Sequence, residues 1–244
     1  MGVIVIKVGG LSTENLTDQF FDTIKYWQSL DKNIVVVHGG GAYITDMLDR
    51  LNIQTKTCDG LRVTDYQVLD VTKMILIGKM LPDITATFNH NDCLSVGVTA
   101  ADQSCIEGKE INFSKYGYVG EITRINQAYF QRLFDENIIP IVSPLCLTEN
   151  NQWLNVNADT TACALAIELH AEKLYLMTDV PGIKSSEKWL TRVSTSEVKD
   201  LIDRNIIKKG MLPKVQNAML AIEQGVETVM ITQSIWEDGT QIVN

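Results

Sequence analysis

Val3-Ile4-Val5-Ile6-Lys7-Val8-Gly9-Gly10 opens the chain, and Ile34-Val35-Val36-Val37-His38-Gly39-Gly40-Gly41 follows the same plan, a short apolar run ending on consecutive glycines. A run that is short and apolar throughout suits a strand covered on both faces. Four further runs of this kind, at 94–98, 138–142, 174–177 and 228–231, alternate with helical patterns to the end of the chain. The alternation predicts an α/β fold: an open, mainly parallel twisted sheet sandwiched by helices. Two lobes in one chain are expected, an N-terminal lobe over 1–150 and a C-terminal lobe over 151–244, with the loop-like Glu149-Asn150-Asn151-Gln152 at their junction.

Between the first two runs Leu16, Phe20, Ile24, Trp27 and Leu30 recur at helical spacing, behind the capping candidates Ser12 and Thr13. A second helix after Gly41 gathers Ile44, Met47, Leu48 and Leu51 on one face. A third, over 65–80, carries Leu69, Ile75, Ile77 and Met80, more apolar surface than one core face needs; a dimer seam and full burial both account for it. Residues 104–125 break the pattern. There Glu107-Gly108-Lys109 and Tyr116-Gly117-Tyr118 read as turns of antiparallel hairpins, a flap over a substrate.

With 244 residues, 45% hydrophobic and 21% charged, the chain can bury a substantial core. The net charge of −9, with Lys and Arg dispersed, leaves no footprint for a phosphate backbone, so nucleic acid is not an expected partner. Cys58, Cys93, Cys105, Cys146 and Cys163 are odd in number and form no C-x-x-C, which reads as reduced core thiols. The start of the chain has neither a basic segment nor a long apolar one, which argues against a secretory signal or membrane span and for a cytoplasmic setting.

Glycines at the carboxyl end of a parallel strand, ahead of a helix, let backbone N–H groups approach an anion without Cβ obstruction. Two such turns on successive runs point to one anion site, although either alone is equally a tight connection. Neither matches the phosphate-loop or dinucleotide signatures. His38-Gly39-Gly40-Gly41 also resembles an esterase oxyanion segment, but no G-x-S-x-G elbow accompanies it. Arg62, in Asp59-Gly60-Leu61-Arg62-Val63-Thr64-Asp65, has the chemistry to grip a carboxylate through paired N–H bonds; taken alone, it reads as well as a solvated partner of Asp59 or Asp65. In Asn155-Val156-Asn157-Ala158-Asp159, Asp159 reads either as a helix N-cap or as one of several convergent polar groups. Thr178-Asp179-Val180-Pro181-Gly182-Ile183 lies at a strand's carboxyl end, where open α/β sheets hold ligands. Lys214 stands near a helix start, where its charge opposes the dipole, and such misfits tend to mark function. His38, His90 and His170 have no partner at metal-ligand spacing.

Together and in this order, these clusters resemble the amino-acid kinase family, most closely its acetylglutamate-phosphorylating branch, from Lys7 to Gly239-Thr240-Gln241-Ile242. The resemblance implies transfer of the ATP γ-phosphate to the side-chain carboxylate of N-acetyl-L-glutamate, in arginine biosynthesis. Lys7 and Lys214 are then expected to stabilise the transition state, with Asp159 holding both. Gly9 and Gly10 are expected at the transferring phosphate. Gly40, Gly41, Arg62 and Asn155 are expected on acetylglutamate, Arg62 at its α-carboxylate. Asp179, Val180, Gly182, Ile183 and Lys184, with Ile207, Lys208 and Met211, are expected to form the ATP pocket, and Mg2+ to arrive with the nucleotide rather than on a protein-built metal site.

Thr99-Ala100-Ala101-Asp102 stands where related kinases usually have a Gly-Asp turn. The start of the chain just before Lys7 leaves no room for the N-terminal helix of arginine-inhibited hexameric relatives, so a homodimer not regulated by arginine is expected. Two other functions fit the family: a kinase for aminoadipate on an acidic carrier protein, which the chain's own acidity opposes, and a non-catalytic ATP or amino-acid sensor, for which retained lysines serve no purpose.

Overall fold

Successive side chains of a strand point to opposite faces, and along Val3–Val8 both faces are buried. Val3 and Val5 join one core with Val35, Val37, Leu174, Leu176, Val229 and Ile231; Ile4, Ile6 and Val8 join another with Ile34, Val36, Tyr175 and Met177. Each such side chain removed from water contributes roughly 1.5–3 kcal/mol, and helices must cover both sides to collect it. The computed structural model describes residues 2–9, 16–185, 188–207 and 210–244.

The sheet has eight strands, in the order Arg192–Ser194, Thr240–Val243, Thr228–Thr232, Lys173–Met177, Val3–Val8, Asn33–His38, Ile139–Val142, Ser95–Val98. Every neighbouring pair is parallel except Thr228–Thr232 with Thr240–Val243. Strands from before residue 150 form one half and those after it the other, and the halves meet where Val3–Val8 pairs with Lys173–Met177. Helices Asp18–Ser29 and Gly41–Arg50 cover one face through Phe20, Phe21, Ile24, Ile44 and Leu48. Ala158–Glu168 and Leu212–Glu223 cover the other through Ala162, Leu165, Ala166, Val215 and Ala218. No helix among the described residues is long and apolar enough to cross a membrane.

A smaller four-stranded sheet sits beside this frame, in the order Trp153–Asn155, Leu145–Leu147, Ile106–Glu110, Gly120–Ile125. The antiparallel pairing expected in 104–125 is present. Glu107-Gly108-Lys109, however, lies inside a strand and not in a turn, with a bulge between Glu107 and Gly108. A Cβ on Gly108 would meet Cys146 Sγ at 2.4 Å, so this glycine serves close packing. The run at 149–152 turns the hairpin between Leu145–Leu147 and Trp153–Asn155.

Other local expectations also shift. The first helix is capped by Thr17, whose side chain accepts from Phe20 N; Ser12 and Thr13 lie outside the described residues. Leu30 and Leu51 follow the last turns of their helices and are exposed. The third helix runs as Tyr66–Ile75, a π-helical stretch Leu76–Met80, then Leu81–His90. The five cysteines are free thiols, Cys58 half-buried and the others buried.

Candidate active site

Strand alternation puts Lys7 on the face of Val3 and Val5, the face covered by Ala158–Glu168. That helix is capped by Asn157, whose side chain accepts from Asp159 N at 2.8 Å and Thr160 N at 3.2 Å. Asp159 is therefore not the cap, and its carboxylate is left to bridge two cations. Lys7 Nζ stands 3.1 Å from Oδ1, and Lys214 Nζ 2.8 Å from Oδ2. Lys214 is carried in the first turn of Leu212–Glu223, next to Pro213, and its side chain is 8% exposed.

Two ammonium groups against one carboxylate leave a net positive charge in a largely desolvated place, where paired charges already struggle to recover their hydration. Burial opposes ionisation of Asp159, but the charges of Lys7 and Lys214 outweigh it and hold the carboxyl below its ordinary range. For Lys214 burial dominates; helped by the charge of Lys7 and opposed by Asp159, it lowers the ammonium pKa. The cluster is thus short of one anion.

A cavity of about 290 Å³ opens beside it, and Lys7 lines it together with Gly39, Gly40, Gly41, Arg62 and Asn155. A Cβ on Gly40 would meet Leu76 Cδ2 at 2.6 Å, so a larger residue there pushes into the π-helical stretch; Gly41 faces open space. Arg62 comes from the hairpin of Thr57–Cys58 with Leu61–Arg62 and leans over the first turn of Gly41–Arg50. Its Nη2 donates to Gly41 O at 3.1 Å and to Thr45 Oγ1 at 2.8 Å. It pairs with neither Asp59 nor Asp65: Asp59 accepts from Lys115 and Tyr116, and Asp65 caps Tyr66–Ile75. Burial lowers the Arg62 pKa from its ordinary value, with Asp49 opposing; a guanidinium remains charged there.

Thr64, fully buried, ties this side of the cavity together. Its hydroxyl donates to Arg62 O at 2.8 Å and accepts from Asn155 Nδ2 at 3.1 Å. Its own N–H donates to Tyr116 O and its carbonyl accepts from Tyr118 N. A Cβ on Gly117 would lie 2.2 Å from Thr64 O, and Gly117 has φ +68°, which explains the glycine between the two tyrosines. Sequence reasoning quoted Thr64 but gave it no role. Its position in the motif was the only signal, because segments distant in sequence converge on it. Asn157 and Gly39, which the sequence motifs include without an individual role, both line the cavity.

Residues 178–184 follow the carboxyl end of Lys173–Met177. Asp179 is exposed and Val180 half-buried, and Thr178 Oγ1 donates to Asp179 Oδ1 at 3.1 Å. A Cβ on Gly182 would meet Thr240 Oγ1 at 2.4 Å, and the same oxygen accepts from Ile183 N at 2.8 Å. Ile183 is 1% exposed and shares a core with Ile207, against which Met211 packs; its N–H goes to Thr240 Oγ1 and its carbonyl accepts from Leu190 N, so it holds this loop in place. Lys184 Nζ lies 5.7 Å from the centre of the Trp189 ring. Gly9 stands at the end of Val3–Val8, half-buried. Gly10 and Lys208 lie outside the described residues.

Acetylglutamate kinase of Listeria monocytogenes is 45% identical over 241 residues, 99% of this chain and 96% of that protein. Acetylglutamate kinase of Leuconostoc citreum is 39% identical, covering 97% of each. Among solved structures, smu.665 of Streptococcus mutans UA159 superposes with a TM-score of 0.94 at 30% identity, over 99% of this chain and 98% of that one. Carbamate kinase from Giardia lamblia bound to AMP-PNP shares the fold, with a TM-score of 0.72 at 16% identity over 100% and 98% of the two chains. The model of the amino acid kinase family matches residues 2–233, and the chain belongs to that family.

Proposed function

We infer that the chain is a kinase that transfers the γ-phosphate of ATP to the side-chain carboxylate of N-acetyl-L-glutamate, giving an acyl phosphate in arginine biosynthesis. The observation that carries this reading is the Lys7–Asp159–Lys214 cluster, one anion short, beside a cavity lined by glycine backbone, Arg62 and Asn155. The acceptor carboxylate, with a reference pKa of ~4.3, is already ionised at neutral pH and needs no general base. Asp159, bound by two lysines, is an organiser and not a proton acceptor. An oxygen of the acceptor attacks the γ-phosphorus as the bond to the ADP oxygen breaks. The barrier is the approach of two anions and the charge spread over the phosphoryl oxygens, which Lys7, Lys214 and the glycine N–H groups compensate. Arg62 and Asn155 take the α-carboxylate end of the acceptor. Mg2+ enters as the nucleotide's own counter-ion.

The two halves of the sheet support a division of labour: residues 1–150 bind the acceptor and residues 151–244 the nucleotide, Asn155 excepted. Asp179 to Lys184, with Ile207, Lys208 and Met211, form the ATP side, and Gly9 and Gly10 approach the transferring phosphate. A cytoplasmic homodimer fits as well. Among the described residues Ser95–Val98 is an outer strand of the sheet, with exposed Leu94 before it and Val96 within it, and a groove beside it is lined by Ile77, Leu81, Pro82, Ala86 and Gly97; an apolar edge of this kind is usually covered. The acceptor is tested by comparing N-acetyl-L-glutamate with N-acetyl-L-aminoadipate under identical MgATP. Turnover at least tenfold faster with acetylglutamate is expected, and preference for the longer acid overturns the assignment.

A further inference from the structure

His38, the last residue of Asn33–His38, is fully buried, with Nδ1 2.9 Å from Gly39 O and Nε2 buried without a hydrogen-bond partner among the described residues. A carbonyl oxygen can only accept, so Nδ1 carries the proton. Burial, only partly opposed by the Gly39 hydrogen bond, lowers the pKa to about 4, and the ring is neutral. Nε2 is left with a lone pair facing no donor, at the full desolvation cost of that atom. A leucine in this place escapes that cost. Core packing alone therefore does not account for an imidazole here, and its one hydrogen bond is what distinguishes it.

That bond acts on the peptide between Gly39 and Gly40, which is trans and planar, so its C=O and N–H point in opposite directions. With glycine on both sides, the peptide rotates at little steric cost unless something pins it. Alternation puts His38 on the face of Ile34 and Val36, opposite the face of Val35 and Val37, while on the adjoining strand Lys7 shares the face of Val3 and Val5. No acceptor among the described residues takes the Gly40 N–H, and Gly40 lines the cavity with Lys7.

We propose that His38 is a positioning residue: by holding Gly39 O on the core side, it keeps the Gly40 N–H aimed into the cavity as a preorganised donor for the reacting anion. Such a donor lowers the barrier because it need not reorient when charge develops. The proposal rests on the cavity being the acceptor site, but its first test does not depend on activity. Long-range 1H–15N NMR correlations of His38 are expected to show the neutral Nδ1–H tautomer at pH 7, and an Nε2–H tautomer or an imidazolium overturns the lock. In the second test, His38→Leu is expected to lower kcat/KM for acetylglutamate about 10- to 100-fold, less than outright loss of an oxyanion donor, with Tm unchanged or raised. His38→Asn, whose amide nitrogen stands close to the place of Nδ1, recovers most of the loss; His38→Gln, which mimics Nε2, does not. Wild-type kinetics in His38→Leu, or equal impairment in Asn and Gln variants tracking a lowered Tm, reduces His38 to a packing residue. Failure of the wild type to phosphorylate acetylglutamate overturns the acceptor reading instead and leaves the tautomer result standing.

Discussion

Lys214 carries most of the account at the scale of single residues. Replaced by alanine, it is expected to lower kcat about 100- to 1,000-fold, as loss of an oriented donor does, while KM for ATP changes only a few-fold; steady-state kinetics separate the two. Its lowered pKa adds a pH signature. A lysine whose folded pKa lies below the unfolded value of 10.5 is a cation the fold disfavours at neutral pH, and that cost fades as pH rises through the folded value. The alkaline limb of kcat/KM is therefore expected below pH 10.5, and Lys214→Arg is expected to move it upward. Asp159 behaves oppositely. Its depressed pKa contributes stability that is present above the unfolded value of 3.8 and is lost as pH falls through the lower folded one. Asp159→Asn leaves the buried Lys214 ammonium and the half-buried Lys7 ammonium without their carboxylate and is expected to cost about 3–5 kcal/mol in denaturant unfolding. Lys214 was legible as a dipole misfit, whereas Lys7 took its role from the family resemblance alone; Asp159 stayed ambiguous because Asn157, and not Asp159, caps the helix.

Elements were legible wherever one physical signal dominated. All six apolar runs are strands of the main sheet, because burial on both faces leaves little room for another reading. Caps and bulges were less legible: Thr17 and Thr13 offer the same hydroxyl, and Gly108 in a strand looks like a turn until Cys146 is packed against it. The contacts that join elements, above all those of Thr64, had no periodic signal at all. Thr64→Val keeps the shape but removes the hydroxyl between Arg62 and Asn155. It is expected to raise KM for acetylglutamate about tenfold, the equivalent of about 1.4 kcal/mol for one or two hydrogen bonds, with KM for ATP unchanged and Thr64→Ser close to wild type. An equal rise in both constants assigns Thr64 to general folding.

At the scale of the molecule, one sheet brings two halves of the chain together at Val3–Val8 and Lys173–Met177, and the charged cluster sits at that seam. The α/β class was readable from alternation alone, whereas strand order was not, since it depends on crossovers that leave no local pattern. The edge at Ser95–Val98 bears on assembly: Val96→Lys is expected to turn a dimer into monomers in light scattering, and an unchanged mass removes this edge from the interface. The central claim is chemical, that the product is an acyl phosphate made from a carboxylate without a base. Incubation with MgATP, N-acetyl-L-glutamate and hydroxylamine tests it most directly. The account requires an ATP-dependent hydroxamate formed in step with ADP, and ADP release with no trapped hydroxamate contradicts it.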